Sequence, residues 1–292
     1  KNKKMKINNK ILGAILGVST LLISSCDDGD KVIDTVFDET TRGAILRTIE
    51  ADGIFDRFDT STTYGFTFEE QDYEDGDLLE KVDLYISFED NTEANGDSTV
   101  DEILIETFLP ADFTDGEFGL PRASYETTLA NALSQLGLVE GDFDGGDAIQ
   151  FRLILTLTDG RTFTNDDSTG TITGSFFNAP YFYAPIIKCI PPAPVAGEYT
   201  IEMEDSYGDG WNGASIDVVI DGVETSYTLD SGAAGSQTFT VPEGTAEFTL
   251  AFSSGDWDGE ITYEIIAPTG ELALSDGPTP AVGVQTLNIC GG

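Results

Sequence analysis

Val82, Leu84, Ile86 and Phe88 alternate with Asp83, Tyr85, Ser87 and Glu89, and Phe151, Leu153, Leu155 and Leu157 alternate with Arg152, Ile154, Thr156 and Thr158. Apolar residues at every second position give a strand one oily face and one wettable face. That pattern fits antiparallel sheets packed on one side only. Phe66 and Phe68, interleaved with Thr67 and Glu69, make a third such segment. Asp159-Gly160, between Leu157 and Phe163, predicts a two-residue hairpin turn. One helix breaks the rhythm: Ser124 is its expected cap, Tyr125, Leu129, Leu133 and Leu136 share a face, and Gly137 ends it. Over residues 34–188 this order predicts an immunoglobulin-like β-sandwich with a helical insertion near 124–136.

Pro191-Pro192-Ala193-Pro194 is the strongest punctuation in the chain. Three prolines in four residues form a stiff extended spacer that neither continues a helix nor sits in a central strand. Residues 189–194 are therefore read as a linker, and residues 195–292 as a second domain. Strands are expected there at 198–204, 214–221, 224–229, 236–241, 246–253, 259–267, 270–274 and 283–289. Asp221-Gly222, Ser231-Gly232, Pro242-Glu243-Gly244 and Thr269-Gly270 mark turns between them. Eight short strands at this spacing predict a sandwich of jelly-roll-like form. Phe248, Leu250, Phe252, Ile261, Tyr263 and Ile265 are its expected core. The fold class is all-β, with two β-sandwich domains.

Charge narrows the chemistry. The 292 residues hold 14 Lys+Arg against 53 Asp+Glu and no histidine, so the formal net charge is −39. Such a surface repels a phosphate backbone, which argues against a nucleic-acid partner. Without histidine there is no Ser-His or Cys-His catalysis, no imidazole ligation of zinc and no histidine pH switch. Carboxylate chemistry remains, or none.

Lys1, Lys3, Lys4, Lys6 and Lys10 precede an apolar run from Ile11 to Ile23, and Ser24-Ser25-Cys26 comes next. A basic stretch, a short apolar core and small residues describe a secretory signal too short to span a bilayer. Ile23-Ser24-Ser25-Cys26 resembles the bacterial lipobox. That resemblance implies removal of residues 1–25, lipidation of Cys26 and a mature chain carrying 9 basic residues and 53 acids, 9 − 53 = −44. Acyl chains on one cysteine anchor firmly, at about 0.8 kcal/mol per buried methylene. Residues 26–33 read as an acidic tether, and Asp27-Asp28-Gly29-Asp30 resembles the export signal of surface lipoproteins in Bacteroidota. Cys189 and Cys290 then remain as a pair bracketing the second domain, either joined as a disulfide in an oxidising compartment or left as two free thiols.

The segment with most chemistry is Asp205-Ser206-Tyr207-Gly208-Asp209-Gly210-Trp211-Asn212-Gly213. Asp205, Asp209 and Asn212 offer three oxygen donors on one short, glycine-bent loop. Gly255-Asp256-Trp257-Asp258-Gly259-Glu260 repeats the chemistry, and Asp256 and Asp258 would complete a site if the loops meet. Calcium takes six to eight such oxygens, and residues 189–292 hold 17 acids with no Lys or Arg to neutralise them. Calcium is therefore the expected cofactor. Turn formation alone also accounts for Gly, Asp and Asn here. Tyr207, Trp211 and Trp257 are the expected ligand contacts, because flat rings stack on sugar or peptide faces. The alternative for each is a place in the core or as its lid.

The Asp205–Gly213 loop resembles one recurring in β-sandwich modules of secreted and surface proteins from Bacteroidota. Phe118-Gly119-Leu120-Pro121-Arg122, and Gly145-Gly146-Asp147 before a long strand, resemble flavobacterial accessory lipoproteins. Those are often encoded beside TonB-dependent transporters of the SusC/SusD type. The resemblance implies a lipoprotein anchored in the outer membrane and exposed at the cell surface. It would act as a non-catalytic binding or accessory module, with a glycan or peptide ligand and a transporter partner. The alternatives are a structural spacer or adhesin and, third, a glycoside hydrolase using two carboxylates.

Overall fold

The computed structural model describes residues 42–92, 96–174 and 177–291. The expected signal, the tether and Cys26 lie outside the described residues. Two separate hydrophobic cores organise the rest, one drawn from residues 44–187 and one from residues 199–289. The structure is all-β with two sandwiches. Among the described residues, no helix is long and apolar enough to cross a membrane.

The first sandwich faces two antiparallel sheets. One is built from β1 (Ile45–Gly53), β3 (Thr63–Gln71), β6 (Thr114–Asp115) and β7 (Pro121–Thr128), in the order β1-β3-β7-β6. The other is built from β4 (Leu79–Glu89), β5 (Val100–Phe108), β8 (Ala148–Leu157) and β10 (Phe182–Tyr183), in the order β10-β8-β4-β5, with β9 (Thr162–Phe163) also on β8. Lettered in chain order, these sheets read A-B-E-D and G-F-C-C′, the immunoglobulin arrangement. Phe66 stacks on Tyr183 with ring centroids 4.1 Å apart and tilts onto Phe151 at 5.8 Å, joining the sheets. The hairpin at Asp159-Gly160 forms with a three-residue loop, not the expected two: Leu157 N donates to Arg161 O at 2.9 Å across residues 158–160, and Gly160, at φ +85°, donates its N–H to Leu157 O at 2.8 Å.

The helix is shorter than expected. It runs Leu129–Leu136 (α1), and its cap is Thr128, whose side chain accepts from Asn131 N, not Ser124. Residues 121–128 stay extended because β7 pairs with β3 from Thr63↔Thr128 to Glu69↔Arg122. Ser124 Oγ meets Thr67 Oγ1 across that pair at 2.8 Å, and Tyr125 packs on Phe66 and Phe151. Sheet pairing thus overrides the local spacing that put Tyr125 on the helix. The stop at Gly137 holds, with φ +74°.

The strands of the second sandwich are β12 (Gly197–Asp205), β13 (Ser215–Ile220), β14 (Val223–Tyr227), β15 (Ala234–Val241), β16 (Phe248–Ser253), β17 (Ile261–Ile266), β18 (Leu272–Asp276) and β19 (Gly283–Gln285). A sheet of order β15-β12-β17-β18 packs on one of order β14-β13-β16-β19. All eight expected strands are present; the last is the most shortened. Asp221 and Gly222, at φ +48° and +80°, form the tight turn joining β13 to β14. Tyr199 stacks on Phe239 at 5.0 Å and Phe252 on Tyr263 at 5.9 Å.

Between the cores, β11 (Ile187–Lys188) runs parallel to β2 (Phe55–Asp56), and Ile190 N donates to Asp56 Oδ1 at 3.0 Å. Cys189 and Cys290 form a disulfide, and Ile289 N donates to Cys189 O at 2.8 Å. Gly145, in the loop before β8, lies so close that any side chain there would strike both sulfurs.

Candidate metal and ligand loops

Asp205 ends β12 and organises the loop after it. Its Oδ1 accepts from Tyr207 N (2.9 Å) and Gly208 N (3.2 Å), and its Oδ2 from Gly210 N (2.6 Å). Burial alone would raise its pKa, but the N–H groups of Gly208, Tyr207, Gly210 and Asp209 outweigh it and hold the carboxyl below the usual range. Gly210 has φ +99°, and a Cβ there would stand 2.5 Å from Leu229 O, so this position requires glycine. Trp211 then pins the loop to the core. It is 0% exposed, its N–H donates to Leu229 O at 2.8 Å, and its Nε1 donates to Glu204 O at 3.0 Å.

The second loop lies against the first in backbone contact. Asp256 N donates to Asn212 O at 3.1 Å and Ser206 N to Glu260 O at 2.9 Å. A Cβ on Gly255 would stand 2.7 Å from the Gly213 carbonyl carbon. The expectation that the loops meet is met. The carboxylates that converge differ from those expected: Asp205, Asp209 and Glu260 each place one oxygen within 4.8 Å of the others.

Asn212 and Asp258 are otherwise engaged, and Asp256 is not among the converging carboxylates. The Asn212 amide nitrogen donates to Asp209 Oδ1 and Gly210 O, so Asn212 steadies Asp209. Asp258 turns into its own loop and accepts from Gly255 N at 2.9 Å. Asp256 joins the loops through its backbone. The signal that could have found Glu260 is register: Ile261 pairs with Asp205 across β17 and β12, which sets the preceding residue beside the Asp205 loop.

The three aromatic residues divide. Trp211 is buried and unavailable for stacking, which corrects its expected role as a ligand contact; its ring meets Phe252 and Tyr263 edge-on instead. Tyr207 is 75% exposed and Trp257 is 72% exposed. Trp257 also takes φ +71°, ψ +36°, the left-handed region that bulky residues avoid.

Oxygen-only donors and a local excess of negative charge suit a hard divalent cation. Three carboxylate oxygens would be half of the smallest calcium shell, leaving backbone carbonyls and water to supply the rest. No protein-family model matches the chain, and no curated protein matches it.

Proposed function

We propose that this is an outer-membrane lipoprotein, anchored through Cys26 and exposed at the cell surface. Its second sandwich serves as a non-catalytic binding module for a glycan or peptide. The observation that carries this reading is Trp257, a large apolar ring kept 72% in water on a backbone conformation costing about 1–2 kcal/mol relative to a relaxed one. Strain of that kind at an exposed aromatic persists where a surface has a use for the ring. Tyr207, on the loop bonded to Glu260, supplies a second exposed ring. Calcium held by Asp205, Asp209 and Glu260 would stiffen both loops.

Binding is favoured over catalysis because both oxygens of Asp205, the most buried member of the acid trio, already accept backbone N–H groups. Such a carboxylate shapes a loop and is poorly placed to pass protons. A TonB-dependent transporter of the SusC/SusD type is the proposed partner, on the resemblance of the first domain. The test is calorimetric binding to glycan and peptide panels by the full chain, by Trp257→Ala and by Tyr207→Ala. Affinity for one class, lost by at least tenfold in Trp257→Ala, supports the reading. Equal affinity in wild type and both variants overturns it.

A further inference from the structure

β3 places Phe66, Phe68 and Glu70 in one core-facing row, so the third member of an aromatic row is a carboxylate. Glu70 is 0% exposed, and among the described residues neither of its carboxylate oxygens has a hydrogen-bond partner. Leaving a buried polar group unpaired is costly, and leaving it charged is far worse.

Among the described residues, no positive charge acts on it. Arg47 and Arg122 are held by Glu69, which takes the other face of the strand. Across β1, the register partner of Glu70 is Leu46. Tyr181 faces it from the segment before β10, with its hydroxyl accepting from Leu46 N and donating to Ala44 O. Asp72 faces it from the following turn, with its own oxygens accepting from Glu74 N, Gly76 N and Leu78 N. Gly76 of that turn lies over Glu70: a Cβ there would stand 3.4 Å from Oε2 and strike Pro121. Among the described residues, the three-carboxylate grouping lies elsewhere, at Asp205, Asp209 and Glu260, so Glu70 and Asp72 are too few to hold calcium. The counter-charge that fits is a proton.

We propose that Glu70 is a proton-operated latch: neutral, it keeps the end of β3 in the core with the 72–78 turn closed over it; ionised, it draws water inward and frees that turn. The turn carries Tyr73, 52% exposed, and it packs on Pro121, the residue after a loop that presents Phe118, 74% exposed. What the latch releases is therefore an aromatic-bearing end of the first sandwich. Burial, reinforced by the Asp72 charge, pushes the Glu70 carboxyl up to about 8. The folded state thus holds this proton more tightly than the unfolded chain, where the ordinary value is 4.5. Its stabilising contribution is complete below that value and fades as pH rises towards about 8, by up to tenfold in the folding constant per pH unit.

The test uses the full chain with carboxyl-carbon NMR, together with urea unfolding from about pH 5 to about pH 9, in wild type and Glu70→Gln. One glutamate titrating two or more units above the others, and a downward stability slope that Glu70→Gln removes, is the expected result. Glu70 titrating with the exposed glutamates, or identical slopes in both proteins, overturns the latch. A fall of a unit or more in the Glu70 midpoint on adding calcium also overturns it, in favour of a metal. If Glu70→Gln does not fold, the wild-type titration decides alone.

Discussion

The two sandwiches are both acidic, yet they manage their charge differently. In the first, Arg47 and Arg122 clamp the buried Glu69, Arg57 holds Asp144, Lys81 holds Asp83, Arg152 holds Glu102 and Arg161 holds Asp159. The second has no Lys or Arg from residue 189 onward. Its carboxylates are satisfied by N–H and hydroxyl groups instead: Asp217 by Ser215 and Ser253, Asp221 by Ala246 N and Glu247 N, Glu271 by Cys290 N and Gly291 N. A domain without cations uses its acids to shape turns, and three of them, Asp205, Asp209 and Glu260, converge where two loops meet. That meeting point is also where Trp257 and Tyr207 face water.

The contrast extends to pH. Asp205, Asp217 and Glu271 in the second sandwich are each raised by burial but lowered further by hydrogen bonds, so all lie below their ordinary values. Their contribution is present above the ordinary carboxylate range and fades as pH falls through it. Glu70 in the first sandwich is raised, and its contribution fades as pH rises. Glu102 of the first sandwich is itself held below its ordinary value by its hydrogen bond from Arg152, so both sandwiches should weaken on acidification, and Glu70 adds to the first a further loss as pH rises.

The largest blow to this contrast should come from Trp211→Ala. It empties a fully buried indole site and should cost about 3–5 kcal/mol, read in urea by far-UV circular dichroism. Glu69→Gln should come next. It strands two guanidiniums that are 35% and 27% exposed at the side chain, so about 1–3 kcal/mol is expected, below the cost of fully buried pairs. Asp205→Asn should cost about 1–2 kcal/mol at neutral pH and flatten the loss of stability on acidification, as followed by tryptophan fluorescence. The smallest effect carries an opposite sign. Trp257→Gly relieves a left-handed residue and should leave stability unchanged or raise it by up to about 1 kcal/mol, while ligand binding is lost. A large destabilisation there would mark Trp257 as structural.

Much of the second sandwich is legible in the sequence, because its strands are short, alternating and separated by residues that readily take turn conformations. The disulfide is legible as a pairing by count, once Cys26 is set apart. The helix start is not, because Ser124 and Tyr125 fit a helix by spacing and are claimed by β3 through long-range pairing. Trp211 and Trp257 look alike as letters, each beside Gly or Asp in an acidic loop. Only the turn imposed by Asp205 sends one inward and leaves the other out. Glu70 is readable in principle, as the next even step after Phe66 and Phe68, but a carboxylate in an aromatic row is the exception that periodicity is built to ignore.

The proposed calcium site at Asp205, Asp209 and Glu260 would supply the second sandwich with the cation its own residues lack. Both tryptophans lie in this sandwich, so their fluorescence reports it directly. Thermal unfolding of the full chain should be followed by that signal in chelator and in millimolar calcium, for wild type and Glu260→Gln. A higher melting temperature with calcium in wild type, and little or no rise in the variant, is the expected result. Superimposable wild-type curves with and without calcium would contradict it.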